Sequence, residues 1–379
     1  MKIALLGFDF SSPNKGCEAL AYSFVNIISE LNLDKIELHV FGSGELGVIP
    51  QRYPNITFVG HRLRMKRPNY WVELLKMFKK MDCIFDITFG DGFSDIYGKL
   101  WNANTDMAKE IAIRSGVPFI LLPQTYGPYA STLLKYWAAN IVKRATKVFS
   151  RDELSAAEMR ILGCKNVIVT TDLAFALPYN KTQYSISGDR LKVGLNVSSL
   201  LWDGGHNIKL KTDYKDFCRE IVKKYSISTN TEVHLIPHVI DKKNPSALEN
   251  DSRICRLLKQ EFSDAILAPD FESPIDAKSY ISNMDVFIGA RMHSTIGAMS
   301  SGVPAIPFSY SKKFEGLYGN LQYPYIISAT QLDTLEAINL VEKYISERDK
   351  LEETRKAAMS KIDKQLEIVR GEIKKLIIN

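Results

Sequence analysis

The segment FIGARMHSTIG, residues 287–297, places an arginine and a histidine two residues apart. The pattern predicts a buried strand over 285–290 and a helix over 295–300, so Arg291 and His293 fall on the connection. The start of a helix offers N–H groups and the positive end of a dipole, both of which attract anions. Arg291 adds a planar fork suited to phosphate or carboxylate, and His293 adds a hydrogen bond or a proton near neutral pH.

The same connection has a second interpretation, in which it is only a helix start. Arg291 would then pair with a structural carboxylate, and His293 would be a hydrogen-bonded loop residue. In both interpretations Ser294 or Thr295 is placed to cap the helix. In the anion-site interpretation the backbone at these two residues also binds the ligand. Residue spacing alone leaves the two interpretations open.

Other connections in the first half carry polar residues where an apolar strand ends. Glycines there let a backbone approach a ligand, an amide binds a sugar hydroxyl, an aromatic ring stacks on a sugar, and a carboxylate moves a proton. Each connection is equally consistent with a turn, a helix cap or packing. The candidates are Asn14, Lys15, Gly16, Gly90, Asp91, Gly92, Gln124, Tyr126, Tyr129 and Arg151, with Asp152 as a helix cap.

The second half repeats this arrangement of polar residues at strand ends. Its further candidates are Asn196, Trp202, His238, Lys312 and Lys313. Because ligands of open α/β folds bind at the carboxyl ends of strands, the two sets together predict a site in a cleft between two domains.

Length and composition are those of a globular protein with about two domains: 379 residues, 45% hydrophobic and 24% charged. The net charge of +6 suits an anionic small substrate or an anionic membrane surface and is too diffuse to indicate nucleic acid. Five scattered cysteines without a CxxC pair indicate reduced thiols in a cytoplasmic protein and no structural metal. The N-terminus reads as a strand and not as a secretory signal, and no apolar run predicts a membrane-spanning helix.

Short apolar runs alternate with helical periodicity, which predicts βαβ units and mainly parallel sheets. A polar, turn-rich stretch at 177–190 interrupts the pattern, and the tetrapeptide SGVP recurs at 115–118 and 301–304, each time between a helix and a strand. Its glycine is expected to stop the helix in a left-handed conformation. We therefore predict two doubly wound domains, 1–180 and 181–331.

The remaining residues, 332–379, have helical composition and periodicity. Packing of their apolar stripe on the globule is the main interpretation, and contact of the basic end EIKKLIIN with a membrane surface is the alternative. The chain has no GxGxxG, GxSxG, HExxH or Walker A motif, so it lacks the signatures of dinucleotide binding, serine hydrolysis, zinc proteolysis and P-loop chemistry.

Eight blocks in order resemble the polysaccharide pyruvyl transferase family. They run from about residue 7 to residue 320: NKGCEAL, FGDGFSD, PQTYGP, FSRDELSAAEMRILG, TTDLAF, VGLNVS, LIPH and DVFIGARMHSTIGAMSSGVPAIPFSYSKKFEG. The resemblance implies two Rossmann-like domains, as in GT-B glycosyltransferases, that face an active-site cleft. It also implies an enzyme that needs no cofactor and moves the pyruvyl group of phosphoenolpyruvate onto hydroxyls of a cell-surface glycan precursor, forming a ketal.

Carried onto this chain, the resemblance implies that Arg291 and His293 bind phosphoenolpyruvate in the C-terminal domain and that Lys313 adds charge. Asp91 and His238 are further candidates for proton transfer. Two departures from the family pattern, Cys17 in the first loop and Asp91 in the second, fall in loops expected to face the acceptor. They leave the acceptor open, including whether it is lipid-linked, which would place the enzyme at the inner face of the cytoplasmic membrane.

Two other functions remain. One is a GT-B glycosyltransferase that uses a nucleotide sugar, which would need a carboxylate for the ribose on the helix after His293. That segment, STIGAMSSG, has none. The other is a non-catalytic glycan-binding protein.

Overall fold

The computed structural model describes residues 1–205 and 208–378, and for Lys312, Lys313 and Glu315 it describes the backbone only. The chain forms two compact units. Unit 1 consists of residues 1–12, 20–176 and 362–378, and unit 2 of residues 13–19 and 177–361. The predicted boundary at 180/181 thus lies close to the observed change of unit at 176/177. The short segment 13–19 groups with unit 2 despite its place near the N-terminus.

Unit 1 contains a seven-stranded parallel sheet in the order β3-β2-β1-β4-β5-β6-β7. Its strands are short, and all except β3 and β7 are largely buried, as expected for a sheet covered by helices. They are β1 Lys2–Leu6, β2 Ile36–Gly42, β3 Ile56–Arg62, β4 Cys83–Asp86, β5 Phe119–Leu121, β6 Lys147–Ser150 and β7 Val167–Val169. The helices between them are α1 Lys15–Ser29, α2 Ile49–Arg52, α3 Pro68–Phe78, α4 Lys99–Arg114, α5 Thr132–Arg144 and α6 Glu153–Ile161.

Unit 2 contains a six-stranded parallel sheet in the order β10-β9-β8-β11-β12-β13. Its strands are β8 Leu191–Asn196, β9 Thr231–Leu235, β10 Ile266–Leu267, β11 Val286–Gly289, β12 Ala305–Ser309 and β13 Ile327–Ser328. Its helices are α7 Ser199–Trp202, α8 Tyr214–Ile227, α9 Asp251–Glu261, α10 Pro274–Ile281, α11 Met292–Ser300, α12 Lys312–Asn320 and α13 Thr334–Ser346. The order of both sheets is that of doubly wound dinucleotide-binding folds.

The predicted α/β class with two doubly wound domains is confirmed. The repeated SGVP behaves as expected: Gly116 and Gly302 adopt φ of +78° and +90° directly after α4 and α11. Asp152 caps α6, with a side-chain oxygen 2.6 Å from the amide nitrogen of Ser155. Strand β3, ITFVGHR, is half-exposed and lacks a continuous apolar run, so its sequence alone does not predict a buried strand.

The predicted C-terminal helices are present as α13 and as α14, Arg348–Ile378. Buried side chains recur along α14 every three or four residues, the period of a helix that packs on one face. They are Leu351, Arg355, Ala358, Ile362, Leu366, Val369, Ile373 and Ile377. None of the helices that the structure describes is long and apolar enough to cross a membrane.

Lys278 of unit 2 is buried, and no carboxylate of a described residue forms an ion pair with it. Lys278, on α10, is 2% exposed, and its Nζ donates to the Leu177 carbonyl oxygen at 2.6 Å. Burial lowers the pKa of Lys278 to about 7. An unfolded lysine has a pKa of about 10.4, so the unfolded chain binds one more proton than the folded chain between about pH 7 and pH 10.

This difference predicts a pH-dependent stability. Unfolding takes up a proton in that window, so the free energy of unfolding rises with pH, by up to ~1.4 kcal/mol per unit from this group. Lys278→Met should flatten the increase between pH 7 and 9.5, measured by urea denaturation followed by circular dichroism. Lys223→Met, which replaces an exposed lysine of α8, should leave the slope unchanged. An unaltered slope in Lys278→Met would show that the buried amine is not the source.

Candidate active site

A buried carboxylate at the start of α9 organises the carboxyl edge of the unit 2 sheet. Asp251 is fully buried and accepts hydrogen bonds from the Ser199 amide at 2.9 Å, the Ser199 hydroxyl at 3.1 Å and the Val239 amide at 2.9 Å. Burial alone would raise the pKa of Asp251, but the Arg291 guanidinium and these amides lower it below its ordinary value. Asp251 is therefore an anion fixed in place by three chain segments.

Arg291 forms a two-point ion pair with this carboxylate. Its Nη2 lies 2.9 Å and its Nε 3.3 Å from the two oxygens of Asp251, and its side chain is 10% exposed. Burial would lower the pKa of Arg291, yet Asp251 raises it above its ordinary value, so the group is always charged. No described residue accepts a hydrogen bond from Nη1. Asp251 thus orients the guanidinium through Nε and Nη2, and the N–H groups of Nη1 remain as donors.

Helix α11 begins earlier than predicted. Arg291 is its N-cap residue, and Met292 and His293 open the first turn. The expectation that Ser294 or Thr295 caps the helix is wrong. Both lie inside the first turn, where the Ser294 hydroxyl donates to the Arg291 carbonyl at 2.6 Å and the Thr295 hydroxyl to the Met292 carbonyl at 2.7 Å.

Asn196, at the end of β8, holds the start of α11 against the sheet. Its Oδ1 accepts from the Arg291 amide at 2.9 Å and the Ser294 hydroxyl at 3.2 Å, and its Nδ2 donates to the Ile236 carbonyl at 3.0 Å. Asn196 is 1% exposed, and these bonds use both lone pairs of Oδ1 and one N–H of Nδ2. Asn196 therefore positions the start of α11.

The segment before α1 runs along the end of β9 in unit 2. Asn14 bridges to Val239 in the antiparallel sense, and the Lys15 amide donates to the His238 carbonyl at 3.0 Å. The Lys15 ammonium is buried, 2.7 Å from Glu18 and 3.3 Å from the Glu272 carbonyl. The sequence candidates Asn14, Lys15 and Gly16 are thereby brought to the same sheet edge as Arg291.

Gly16 lies directly against His293. A Cβ built on Gly16 would sit 2.5 Å from Nδ1 and 2.9 Å from Cγ of that ring, closer than real Cβ contacts come. The Asn14 side chain accepts from the Gly16 amide at 2.9 Å and fixes the turn. The absence of a side chain at residue 16 is what allows His293 to occupy its position.

His238 is the most isolated polar side chain of this edge. It is 4% exposed, and neither ring nitrogen has a hydrogen-bond partner among residues 1–205 and 208–378. Burial, together with the neighbouring His293, Arg291 and Lys15, lowers the pKa of His238 to about 3 against the opposing effect of Asp251. The ring is therefore neutral at physiological pH, with one N–H donor and one acceptor available.

Several sequence candidates lie in unit 1 as buried structural groups. Arg151 is 3% exposed and pairs with Asp172 at 3.1 Å, and the Gln124 amide donates to the Asp86 carbonyl at 3.3 Å. The Tyr126 hydroxyl donates to the Phe149 carbonyl at 2.8 Å, and the Tyr129 hydroxyl to the Phe93 carbonyl at 2.9 Å. These bonds hold both tyrosine side chains against the unit; Tyr126 is buried and Tyr129 is half-buried.

The remaining candidates are more varied. Gly90 and Gly92 flank Asp91 in the turn after β4, and Asp91 accepts from the Tyr97 hydroxyl at 2.9 Å. Trp202 is 5% exposed, with the Arg219 guanidinium 5.1 Å from its ring centre. The side chains of Lys312 and Lys313 lie outside the described residues. No three His, Cys, Asp or Glu side chains of the described part come together as a metal site.

Sequence reasoning missed Asp251, on which Arg291 depends. The segment ENDSRICRLL reads as an ordinary helix start, where an aspartate is expected as a cap. The sequence analysis does predict that Arg291 could pair with a structural carboxylate, which is the one clue to Asp251. The sequence does not indicate which of the aspartates is that partner. The arrangement as a whole can bind a compact anion: a fixed guanidinium, a helix start and two imidazoles converge on it.

Solved structures of similar fold include an epimerase, a glycosyltransferase and a sucrose-phosphate synthase. The chain is similar to UDP-GlcNAc 2-epimerase from Neisseria meningitidis, solved with UDP-GlcNAc (TM-score 0.59, 14% identity, 99% of this chain and 100% of that chain). It is also similar to a glycosyltransferase from Rickettsia africae (TM-score 0.60, 9% identity, 100% and 98%). A sucrose-phosphate synthase from Thermosynechococcus elongatus gives a TM-score of 0.53 at 13% identity, over 99% and 98%. Identities this low show the fold alone, and they confirm the GT-B-like architecture.

Comparison with curated protein sequences finds no match. The sequence model of the polysaccharide pyruvyl transferase family, by contrast, matches residues 14–312. This span begins at Asn14, before the glycine that lies against His293, and it includes Asp251, Arg291 and the whole of α11. Because the match covers most of the chain, the protein belongs to the polysaccharide pyruvyl transferase family.

Proposed function

We propose that the chain transfers the pyruvyl group of phosphoenolpyruvate to two hydroxyls of a saccharide in a cell-surface glycan precursor, and that the donor binds at the start of α11. The observation that carries the proposal is the guanidinium of Arg291, held by Asp251 through Nε and Nη2 with Nη1 left for a ligand. Phosphoenolpyruvate is a compact polyanion, and a buried, always-charged fork beside a helix start suits it.

The reaction needs a proton at carbon and an exit for phosphate. Protonation of the donor methylene leaves an oxocarbenium-like centre at the adjacent carbon, which a saccharide hydroxyl attacks. Departure of phosphate and attack by a second hydroxyl give the cyclic ketal. Of the two hydroxyl protons, one balances the proton gained by carbon and the other leaves with phosphate.

The charge of each side chain determines which of these steps it serves. Arg291 and the first turn of α11 bind the phosphate or carboxylate and stabilise the negative charge that grows on the departing group. His293 also binds the phosphate and is the candidate acid for the methylene carbon. His238, neutral because of its low pKa, serves as a hydrogen-bond partner of the donor and not as an imidazolium acid.

The glycosyltransferase alternative gains no support from the site. Residues 292–300 of α11 carry no carboxylate that would bind the ribose of a nucleotide sugar. The sugar nucleotides of the similar structures belong to those proteins.

The first test measures turnover. With phosphoenolpyruvate and a diol-bearing saccharide, the purified protein should release phosphate and give a product whose mass shows an added pyruvyl ketal. Arg291→Lys keeps the charge but loses the fork, and it should lower kcat/KM at least ~100-fold, as should His293→Ala (about 2.7 kcal/mol of transition-state stabilisation). Arg219→Lys, an exposed arginine on α8, is the matched control. Wild-type turnover in both site variants would refute the assignment, and turnover of nucleotide sugars alone would favour the alternative.

The second test uses the contact between Gly16 and His293. Gly16→Ala places a methyl group 2.5 Å from Nδ1 of the ring, so His293 must move and kcat/KM should fall at least ~10-fold. Gly371→Ala, on α14, meets nothing within 4 Å and should retain wild-type activity. Circular dichroism of both variants controls for folding. Full activity in Gly16→Ala would mean that the position of His293 does not matter.

The third test concerns the protonation state of His238. With a pKa of about 3, His238 does not titrate between pH 5 and pH 9, so it produces neither limb of the pH–rate profile there. His238→Gln should lower kcat about tenfold while keeping the limbs of the wild-type profile. Loss of one limb in this variant would show that His238 moves a proton.

A further inference from the structure

Unit 1 contains a separate cavity at the carboxyl ends of its first four strands. Its volume is about 830 Å³, and the segments that follow β1, β2, β3 and β4 line it together with α4. Ligands of open α/β sheets bind at this edge, next to the point where strand order reverses between β1 and β4. A cavity of this size holds one or two sugar rings.

The segment after β3 gives the cavity a cationic wall. Arg62, Arg64, Lys66 and Arg67 lie within six residues, line the cavity and are exposed. None of the four forms an ion pair with a described residue. Like charges so close together repel one another and concentrate an anion when one is present.

Another part of the lining is suited to a sugar ring. Trp101 and Phe89 lie with ring centres 6.0 Å apart and offer apolar faces. The side chain of Asn104, which also lines the cavity, makes no hydrogen bond with a described residue. Thr88 and Phe89 adopt left-handed backbone angles, φ 37° and 58°, that non-glycine residues rarely take. Strain of this kind concentrates at ligand sites, and here it places Phe89 at the cavity.

The floor of the cavity is polar and buried. Asp86 is 1% exposed and accepts from the Thr88 hydroxyl at 2.6 Å. Lys109 is fully buried, 3.4 Å from Asp106. Both Asp86 and Lys109 line the cavity, so hydroxyl groups of a ligand would meet an acceptor and a donor there.

From these walls we infer that the cavity binds a glycosyl phosphate, a saccharide esterified at one end with phosphate or pyrophosphate. The anion lies on the cations of residues 62–67, and the sugar lies between Trp101 and the polar floor. Four cations exceed what a single carboxylate of an acidic sugar needs, whereas a phosphate or pyrophosphate carries two or more charges. That this ligand is the pyruvyl acceptor rests on the proposed function, but the ligand class rests only on the cavity.

Binding without phosphoenolpyruvate tests the ligand class directly. In calorimetric titrations, hexose and N-acetylhexosamine 1-phosphates are compared with the free sugars, inorganic phosphate and UMP. We expect at least one glycosyl phosphate to bind at least tenfold more tightly than its free sugar, inorganic phosphate or UMP. Its binding should weaken as the salt concentration rises. Absence of binding by every glycosyl phosphate, or equally tight binding of UMP, would overturn the inference.

Matched variants locate the ligand. The double variant Arg64→Gln with Arg67→Gln should weaken the binding of glycosyl phosphate at least tenfold. The control double variant Lys135→Gln with Lys165→Gln removes the same charge from exposed positions outside the cavity and should leave the binding unchanged. Trp101→Phe should weaken glycosyl phosphate more than inorganic phosphate. Equal losses in the two double variants would show a diffuse charge effect and refute the site.

Two further experiments complete the test. One distinguishes a lipid-linked ligand from a free one, and the other distinguishes failure of the cavity inference from failure of the proposed function. A sugar pyrophosphate carrying a short isoprenyl chain, in detergent, is compared with the soluble sugar diphosphate: tighter binding of the first indicates a lipid-linked ligand, and equal binding a free one. Arg291→Ala should abolish phosphate release and leave glycosyl phosphate binding intact. Binding without any pyruvyl transfer would refute the proposed function alone, and transfer that is insensitive to Arg64→Gln with Arg67→Gln would refute the cavity's role alone.

Discussion

The geometry of the unit 2 site depends on the buried carboxylate of Asp251. A carboxylate removed from water is stable only when its oxygens are fully engaged, and here the Ser199 amide and hydroxyl, the Val239 amide and Arg291 engage them. These donors come from three segments of the sheet edge, so one charge fixes the segments after β8 and β9 relative to the start of α11. Neutralising Asp251 would leave Arg291 buried without its partner and release all three segments together.

The two sheets have the same strand order but treat their cations in opposite ways. In unit 2 two cations of the sheet edge are buried and paired, Arg291 with Asp251 and Lys15 with Glu18. In unit 1 the loop 62–67 presents cations that have no ion-pair partner among the described residues. The side chain of a buried, paired cation is already ordered, so it loses little conformational entropy when a small anion binds. This suits a site where the chemistry needs a fixed geometry. Exposed cations attract an anion at longer range and tolerate variation in the rest of the ligand.

The sequence predicts the fold well because apolar runs and helix periodicity depend on near neighbours in the chain. The buried strands β1, β4 and β11 and the helix stops at Gly116 and Gly302 are of this kind. Features that depend on distant contacts escape it. Asp251 is far from Arg291 in the chain and reads as a helix cap. The role of the cations of residues 62–67 becomes visible only because the fold brings them to the same cavity as the segment after β1. The cap assigned to Ser294 or Thr295 failed because both hydroxyls bond backward inside a turn that begins three residues earlier.

The sequence left two interpretations of the Arg291–His293 pair, a structural ion pair or an anion site. The structure contains the structural ion pair, and this pair is compatible with the proposed anion site. A guanidinium buried at a sheet edge must have a carboxylate partner, because an unpaired charge there is too costly. Pairing through Nε and Nη2 uses one side of the fork, fixes the plane of the group and leaves Nη1 for a second anion. The Asp251 carboxylate therefore fixes the orientation in which Arg291 would hold a ligand. Gly16 has no side chain and so leaves room for His293, the second group of the same proposed site.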